Sequence, residues 1–241
     1  MDVSLVTVYR RRNAHRQTLQ RWWQQFWPHH PGYEWIVIEA DSHSSPGLAE
    51  ALQQQHIQYH FLPNDGTLHK TRALNLGLQR AQGQYVVPFD VDLIPIGDTL
   101  VHHHHLATLS EQLLMTGYRL MSQHTDLAMP QLAEAIAKAT VAPEDQPTAL
   151  RKHLLQGEKF GVMPFFRRQR LIDIQGWDEA FVGWGAEDQD LIERYLGETC
   201  SLCRSPELVY LHLHHEADPQ WSEAATIAAN RQHYYQKRSL Q

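Results

Sequence analysis

The chain has 241 residues, 42% of them hydrophobic, and carries 21 Lys plus Arg against 27 Asp plus Glu, a formal net charge of −6. That size suits one large domain, and the mildly acidic balance argues against a nucleic-acid binder, whose affinity comes largely from phosphate neutralisation. The two cysteines cannot form a disulfide framework, no apolar run approaches the ~20 residues of a membrane span, and the N-terminus lacks the basic lead and apolar core of a signal peptide, so a globular, cytoplasmic protein is expected.

Residues 3–9 alternate and are rich in β-branched side chains, which predicts a strand. Arg10, Arg11, Arg12 and Asn13 follow. Leu19, Trp22, Trp23 and Phe26 then recur at helical spacing up to Pro28, as one core-packing face. Strands are predicted over 35–39, 58–62 and 85–89, helices over 48–55 and 69–81, and a turn at Asn64-Asp65-Gly66. This alternation predicts right-handed βαβ units and a Rossmann-like, mostly parallel α/β sheet. Ligands of such sheets sit beyond the carboxyl ends of the strands, and those ends carry Arg10 to Asn13, Glu39 to Asp41 and Asp90 to Asp92. Residues 1–95 therefore read as a nucleotide-binding half, and 96–241 as a second half of the same domain. In that second half helices are predicted over 99–110, 131–139, 168–174, 187–196 and 221–235, strands over 162–167 and 208–214, and a loop at 143–147. No repeat and no Gly/Ser-rich linker divides the chain.

Two segments carry chemistry. In Phe89-Asp90-Val91-Asp92-Leu93-Ile94-Pro95 an apolar strand runs into two carboxylates one residue apart. In extended backbone such residues point the same way, and carboxylate oxygens suit hard cations such as Mg2+ or Mn2+ that bridge to a diphosphate. In the segment from Gly176 to Asp190, glycines flank Trp177 and Trp184 ahead of Glu187, Asp188 and Asp190. The macrodipole favours acids in a first helical turn, but it does not explain an aromatic platform before them. An aromatic face beside a carboxylate is what a sugar hydroxyl needs: a surface to lie on and a base for its proton.

Phe-Asp-Val-Asp-Leu-Ile-Pro and Gly-Trp-Gly-x-Glu-Asp-x-Asp resemble the two signatures of the β-1,4-galactosyltransferases and related bacterial glycosyltransferases, which share the GT-A fold. His69-Lys70-Thr71-Arg72-Ala73-Leu74-Asn75-Leu76-Gly77 is similar to that family's basic, Asn-x-Gly-containing helix, and Val8-Tyr9-Arg10-Arg11-Arg12 to its first-strand segment. The resemblance implies an acceptor-binding second half and a metal-dependent, inverting transfer of a hexose or N-acetylhexosamine, galactose-type, from a UDP-sugar to a glycan or glycoconjugate hydroxyl. It implies Asp92 as a ligand of Mn2+ (Mg2+ being the alternative), Asp90 near the ribose or behind the metal ligands, and Asp188 as general base. Glu187 would hold the acceptor, with Trp184 and Gly185 in its platform. Glu39 and Asp41 would meet the uridine, and Arg10, Arg12, Lys70 and Arg72 the nucleotide and diphosphate. A late histidine ligand would be His212, but Val209 stands where the family has a methionine ligand, and His215 could contribute instead. Ala186 replaces a family glycine, and Gln189 interrupts an acidic triplet.

Two other readings compete. A sugar nucleotidyltransferase would want a glycine-rich phosphate loop near the N-terminus, where this chain has no glycine before Gly32. A non-catalytic nucleotide-sugar or glycan-binding module would bind without turnover. Cys200 and Cys203 with His212 and His215 have the residue types of a zinc site but a spacing too short for a finger. His102 to His105 read as solvated helix surface, since consecutive helical residues share no face.

Overall fold

A computed structural model describes residues 1–216 and 224–239. In chain order the elements are β1 (Val3–Tyr9), α1 (Asn13–Phe26), β2 (Tyr33–Asp41), α2 (Leu48–Gln53), β3 (Ile57–Pro63), α3 (Lys70–Arg80), β4 (Tyr85–Pro88) and β5 (Leu93–Pro95). There follow α4 (Thr99–Thr108), β6 (Leu113–Met121), α5 (Leu132–Lys138), β7 (Thr140–Val141), α6 (Pro147–Leu155), β8 (Phe166–Arg167), α7 (Arg168–Asp173), α8 (Glu187–Leu196), β9 (Ser201–His212) and α9 (Ala224–Arg238).

The larger sheet has the order β3-β2-β1-β4-β8, its first four strands parallel and β8 antiparallel on the edge. Every residue of β2 is buried, as expected for a parallel strand covered on both faces. One face packs Val3, Leu5, Trp35 and Val37 against Leu19, Trp22 and Trp23 of α1. The other packs Val6, Ile36 and Ile38 against Ala73, Leu74 and Leu78 of α3. The periodicity of each strand thus decides which helix covers which side. The smaller sheet, β5-β9-β6-β7, pairs β6 and β9 in parallel, with β5 and β7 antiparallel at its edges.

Expectation and structure agree through β4, and again at α4, α5, α7 and α8, but differ elsewhere in the second half. Sequence reading missed β6, because Leu-Leu-Met-Thr-Gly-Tyr-Arg-Leu-Met has no alternation and its register breaks between Thr116 and Tyr118. At Gly117 a Cβ would lie 2.4 Å from the Leu208 carbonyl oxygen, so a side chain there would clash with β9 at the point where the register breaks. The expected loop at 143–147 leads into an unforeseen helix, α6. Strand β9 begins at Ser201 rather than 208, and the expected 162–167 strand contracts to β8. The expected start of the last helix near Trp221 lies outside the described residues. His103 is not solvated surface: it is buried in the core, with Nδ1 2.7 Å from the Tyr210 hydroxyl and Nε2 3.0 Å from the Met115 carbonyl. Cys203 pairs with Met115 in the smaller sheet and both cysteines are free; neither belongs to the histidine cluster, which disposes of the zinc reading.

The Asn-x-Gly of α3 has a packing cause. A Cβ on Gly77 would meet Val6 Cγ1 at 2.1 Å, so only glycine lets α3 lie this close to β1. Gly77→Ala is expected to destabilise the fold by ~1–3 kcal/mol, the usual cost of overpacking, measured as a lower denaturant midpoint at constant slope.

Candidate active site

The carboxyl ends of β1, β2, β3 and β4 lie along one edge of the larger sheet, and the site is built there. A cleft of about 240 Å³ opens between Arg10, Arg11, Asp41, Ser42, Asn64, Gly66 and Thr67. Arg10 is buried and spends its guanidinium on the end of β2 and the loop after β3, donating to the carbonyls of Ala40 (2.6 Å), Asn64 (2.7 Å) and Gly66 (2.7 Å). Arg11 clamps Asp41 bidentately, both bonds at 2.7 Å. Burial pushes the Asp41 carboxyl up, but hydrogen bonds from Arg11 and the Ser42 amide outweigh it and hold the group below its ordinary value. Glu39 does not reach this cleft: its carboxylate accepts from the Ser45 amide (2.9 Å), the Ser45 hydroxyl and the Tyr59 hydroxyl.

Next to this cleft the two sheets meet. The backbone pairing Leu93↔His212 and the bond from Leu213 N to the Asp92 carbonyl (2.8 Å) bring the acidic strand end against the end of β9. Asp92 is buried, with Oδ1 3.7 Å from His212 Nε2 and Oδ2 3.3 Å from His215 Nε2. Arg12 donates to the same Asp92 oxygen, and its second nitrogen lies 3.3 Å from His215 Nδ1. Burial opposes the charge on Asp92, yet the His215 hydrogen bond and the His212 and Arg12 charges hold its carboxyl far below the usual range. Its bond to Asp92 raises His215, whereas burial lowers His212.

One donor each from Asp92, His212 and His215 lie within 4.8 Å of one another. His212 Nδ1 is buried with no hydrogen-bond partner among the described residues. A carboxylate with two imidazoles is a donor set for a divalent first-row cation, and the three donor atoms are close enough to share one. The structure groups His215, not residue 209, with Asp92 and His212.

On the other side of Asp90 lies the acidic turn of α8. Lys70 Nζ, at the start of α3, is 3.4 Å from Glu187 Oε1, 3.5 Å from Asp188 Oδ2 and 3.9 Å from Asp90 Oδ1. Burial disfavours charge on Lys70, but these three carboxylates overcompensate and raise it well above its ordinary value. The two adjacent acids differ sharply. The Glu187 side chain is 2% exposed, and its Oε2 accepts from the Gly185 amide at 2.8 Å; the Asp188 side chain is 47% exposed. Burial first, and the Asp188 charge second, raise Glu187. Both acids line a larger cleft, of about 350 Å³, with Lys70, Asp90 and a half-exposed Trp184. Gly185 lines it too, and so does Ala186, which precedes α8 in the left-handed region at φ +64°, where a glycine would carry less strain. Asp190 turns away to Arg194 (2.8 Å) and Lys237 (2.6 Å). Arg72 is exposed and lines neither cleft; it lines a hollow with Asp65, His69 and Val182 that adjoins the Arg11–Asp41 cleft at Asn64 and Thr67.

Sequence reasoning placed Arg11 in the charged cluster after the first strand but gave only Arg10 and Arg12 a role; beyond the end of β1, Arg11 adopts φ +56°, a local turn that spacing along the chain does not record. It also missed the role of Asn75. Its amide donates to the Trp177 carbonyl (2.9 Å) and to Glu179 (3.0 Å) and accepts from the Trp177 amide (2.9 Å), fastening α3 to the tryptophan-bearing loop. Asp178, in that loop, is held by Lys237 Nζ (2.7 Å) and His233 Nε2 (3.1 Å). Burial opposes its charge, but these partners and the Ala180 amide depress its carboxyl far below the usual range. A depressed carboxylate stabilises the folded state above its unfolded value of ~3.9, and the contribution is lost as pH falls toward the folded value. Wild type is therefore expected to exceed Asp178→Asn in thermal stability at pH 6, with the gap shrinking steadily below about pH 4.

Comparison with known proteins bears on what this edge is for. Residues 5–103 match the model of glycosyl transferase family 2, and residues 150–216 that of the N-terminal domain of galactosyltransferase. Among solved structures, GalNAc-T7 with UDP, GalNAc and Mn2+ superposes at a TM-score of 0.69 and 13% identity, over 98% of this chain and 48% of that one. The chain has the GT-A glycosyltransferase fold. The mannosyltransferase PcManGT from Pyrobaculum calidifontis, in complex with GDP-Man and Mn2+, matches this GT-A chain at 0.62 and 19% identity, over 99% of it and 64% of the mannosyltransferase. S. aureus TarS 1–349 in complex with UDP-GlcNAc matches at 0.63 and 14% identity, over 93% and 61%. The chain thus spans between about half and two thirds of the length of these three GT-A structures. No helix among the described residues is long and apolar enough to cross a membrane.

Proposed function

We propose that this chain is a metal-dependent, inverting glycosyltransferase that moves a hexose or N-acetylhexosamine, galactose-type, from a UDP-sugar to a glycan hydroxyl. One observation carries the reading: a buried Asp92 grouped with the half-buried His212 and His215 lies two residues from Asp90, which shares a tryptophan-walled cleft with the half-exposed Asp188. The Arg11–Asp41 cleft offers the nucleotide its place. Two of the similar structures hold Mn2+ with UDP or GDP-Man, and the galactosyltransferase match supports the galactose-type donor.

Asp92, His212 and His215 would hold the cation, which supplies positive charge to the departing diphosphate. Arg12, hydrogen-bonded to Asp92 and facing His215, adds a guanidinium on the same side. Trp184 would give the acceptor ring an apolar face, and Glu187, which accepts from the Gly185 amide, would hold an acceptor hydroxyl. Asp188 takes the proton of the attacking hydroxyl. The new C–O bond forms on the face of the anomeric carbon opposite UDP, and the electron pair of the old bond leaves with the diphosphate. Positioned general-base catalysis of this kind contributes roughly 10²–10⁴-fold. Lys70, among three carboxylates, keeps this acidic wall from repelling the anionic donor.

A non-catalytic binding module would show the same clefts; product analysis decides, since transfer of galactose from UDP-galactose to an acceptor with inverted anomeric configuration is expected, and tight binding without product would overturn the proposal. A cytoplasmic site of action is part of this reading, supported by two free thiols that an oxidising compartment would put at risk. Cell fractionation is expected to recover the protein with the cytoplasmic or inner-leaflet fraction, and recovery as an integral membrane protein would contradict it.

A further inference from the structure

The segment from Asp178 to Ala186 brings Trp184 to the cleft and feeds the acidic turn of α8, yet it has little regular structure of its own. Gly183, Gly185 and Ala186 have φ of +76°, +122° and +64°, so three of four consecutive residues sit in conformations from which the chain escapes easily. What holds it is α9. Asn230, His233, Tyr234 and Lys237 fall at spacings of three and four, which places them on one helix face. Asn230 is buried, and its amide donates to the carbonyls of Val182 (2.8 Å) and Trp184 (3.2 Å) and accepts from the Val182 amide (3.4 Å), spanning Gly183. Lys237 bridges Asp178 (2.7 Å) at the start of the segment and Asp190 (2.6 Å) in the first turn of α8. The His233 ring packs on the buried Phe181 at 4.8 Å between centroids, and the Tyr234 hydroxyl donates to Glu193 at 2.7 Å. Ile227 and Arg231 of the same helix line the Trp184 cleft.

We infer that α9 is the clasp that sets the shape of the acceptor cleft, with Asn230 and Lys237 as positioning residues that hold Trp184 and Asp188 for the acceptor while leaving the nucleotide side untouched. The inference rests on reading the Trp184 cleft as the acceptor site. Among the described residues Asn230 makes no hydrogen bond to the Arg11–Asp41 cleft or to the Asp92 group, and its three bonds there all go to the backbone of the loop. A positioning error of about 1 Å can cost ~10²-fold in rate, so loosening this loop acts on acceptor turnover before it acts on donor binding.

The test uses Asn230→Asp, which keeps the shape but sets an acceptor oxygen against two carbonyls, and Lys237→Met, a half-buried position that tolerates the change if the first variant fails to fold. UDP-galactose with Mn2+ is the donor, p-nitrophenyl hexosides and N-acetylhexosaminides are the acceptors, and Trp184→Ala is the control for the cleft. Asn230→Asp is expected to raise the acceptor KM by ~10-fold or more, and Lys237→Met by a smaller factor, with Mn2+–UDP affinity and acceptor-free hydrolysis of UDP-galactose within two-fold of wild type. A merely structural role would lower donor affinity and hydrolysis along with transfer, and that result overturns the inference. So does an unchanged acceptor KM in folded variants. If Trp184→Ala raises the acceptor KM while both clasp variants do not, the clasp alone fails; if Trp184→Ala also leaves it unchanged, the acceptor reading of the cleft fails with it.

Discussion

Asp188→Asn is expected to keep the fold and the UDP-sugar affinity while lowering kcat by ~10²-fold or more, because a base acts mainly in the transition state. Helix geometry makes the choice of base sharp. Successive residues of α8 diverge by about 100°, so Glu187 and Asp188 cannot both address one oxygen. Glu187 is buried, accepts from the Gly185 amide and is raised by burial, whereas half of the Asp188 side chain meets solvent in the cleft. Glu187→Gln is accordingly expected to raise the acceptor KM with a lesser effect on kcat. Steady-state kinetics of the two variants decides: if Asp188→Asn retained near wild-type kcat while Glu187→Gln lost it, the two roles would be exchanged.

Asp92→Ala is expected to abolish both activity and the metal dependence of UDP binding. Asp92 is the centre of its group, meeting His212, His215 and Arg12 at once, and no other carboxylate among the described residues joins that cluster. Removing it leaves a guanidinium and two imidazoles facing one another, which repels a cation. UDP titrations with Mn2+ and with EDTA are expected to differ for wild type and to coincide for the variant; a variant that still binds UDP better with Mn2+ would place the cation elsewhere. With Val209 in place of a softer thioether, and with oxygen and imidazole donors only, Mg2+ is expected to replace Mn2+ in part.

The first half of the fold was legible because its central strands β1 and β2 are buried on both faces and the helices α1 and α3 that cover them each show a clean stripe. Trp22, Trp23 and Leu19 could belong only to a helix face, and Val3 to Tyr9 only to a strand. The second half was harder for a physical reason. Strand β6 is interrupted at Gly117 by close approach to Leu208, and α6 buries none of its residues, so neither writes a period into the sequence. At the site, the acids of both signature segments could be read because strand ends and helix starts are where such residues gather. The partners that pin them could not. Arg11 leaves strand geometry at a positive φ, Glu39 is diverted to Ser45 and Tyr59, and His215 reaches Asp92 only through the pairing of β5 with β9. Those are long-range contacts, and spacing along the chain does not record them.

The measurement that bears most directly on the proposed activity is UDP release by the wild-type protein across a panel of UDP-sugars, each with Mn2+, with Mg2+ and with EDTA, in the presence and absence of glycan acceptors. Acceptor-stimulated release of UDP from a UDP-hexose or UDP-N-acetylhexosamine, strongest with Mn2+ and extinguished by EDTA, is the predicted result. Full release in EDTA, or metal-dependent UDP binding without turnover of any donor, would contradict it.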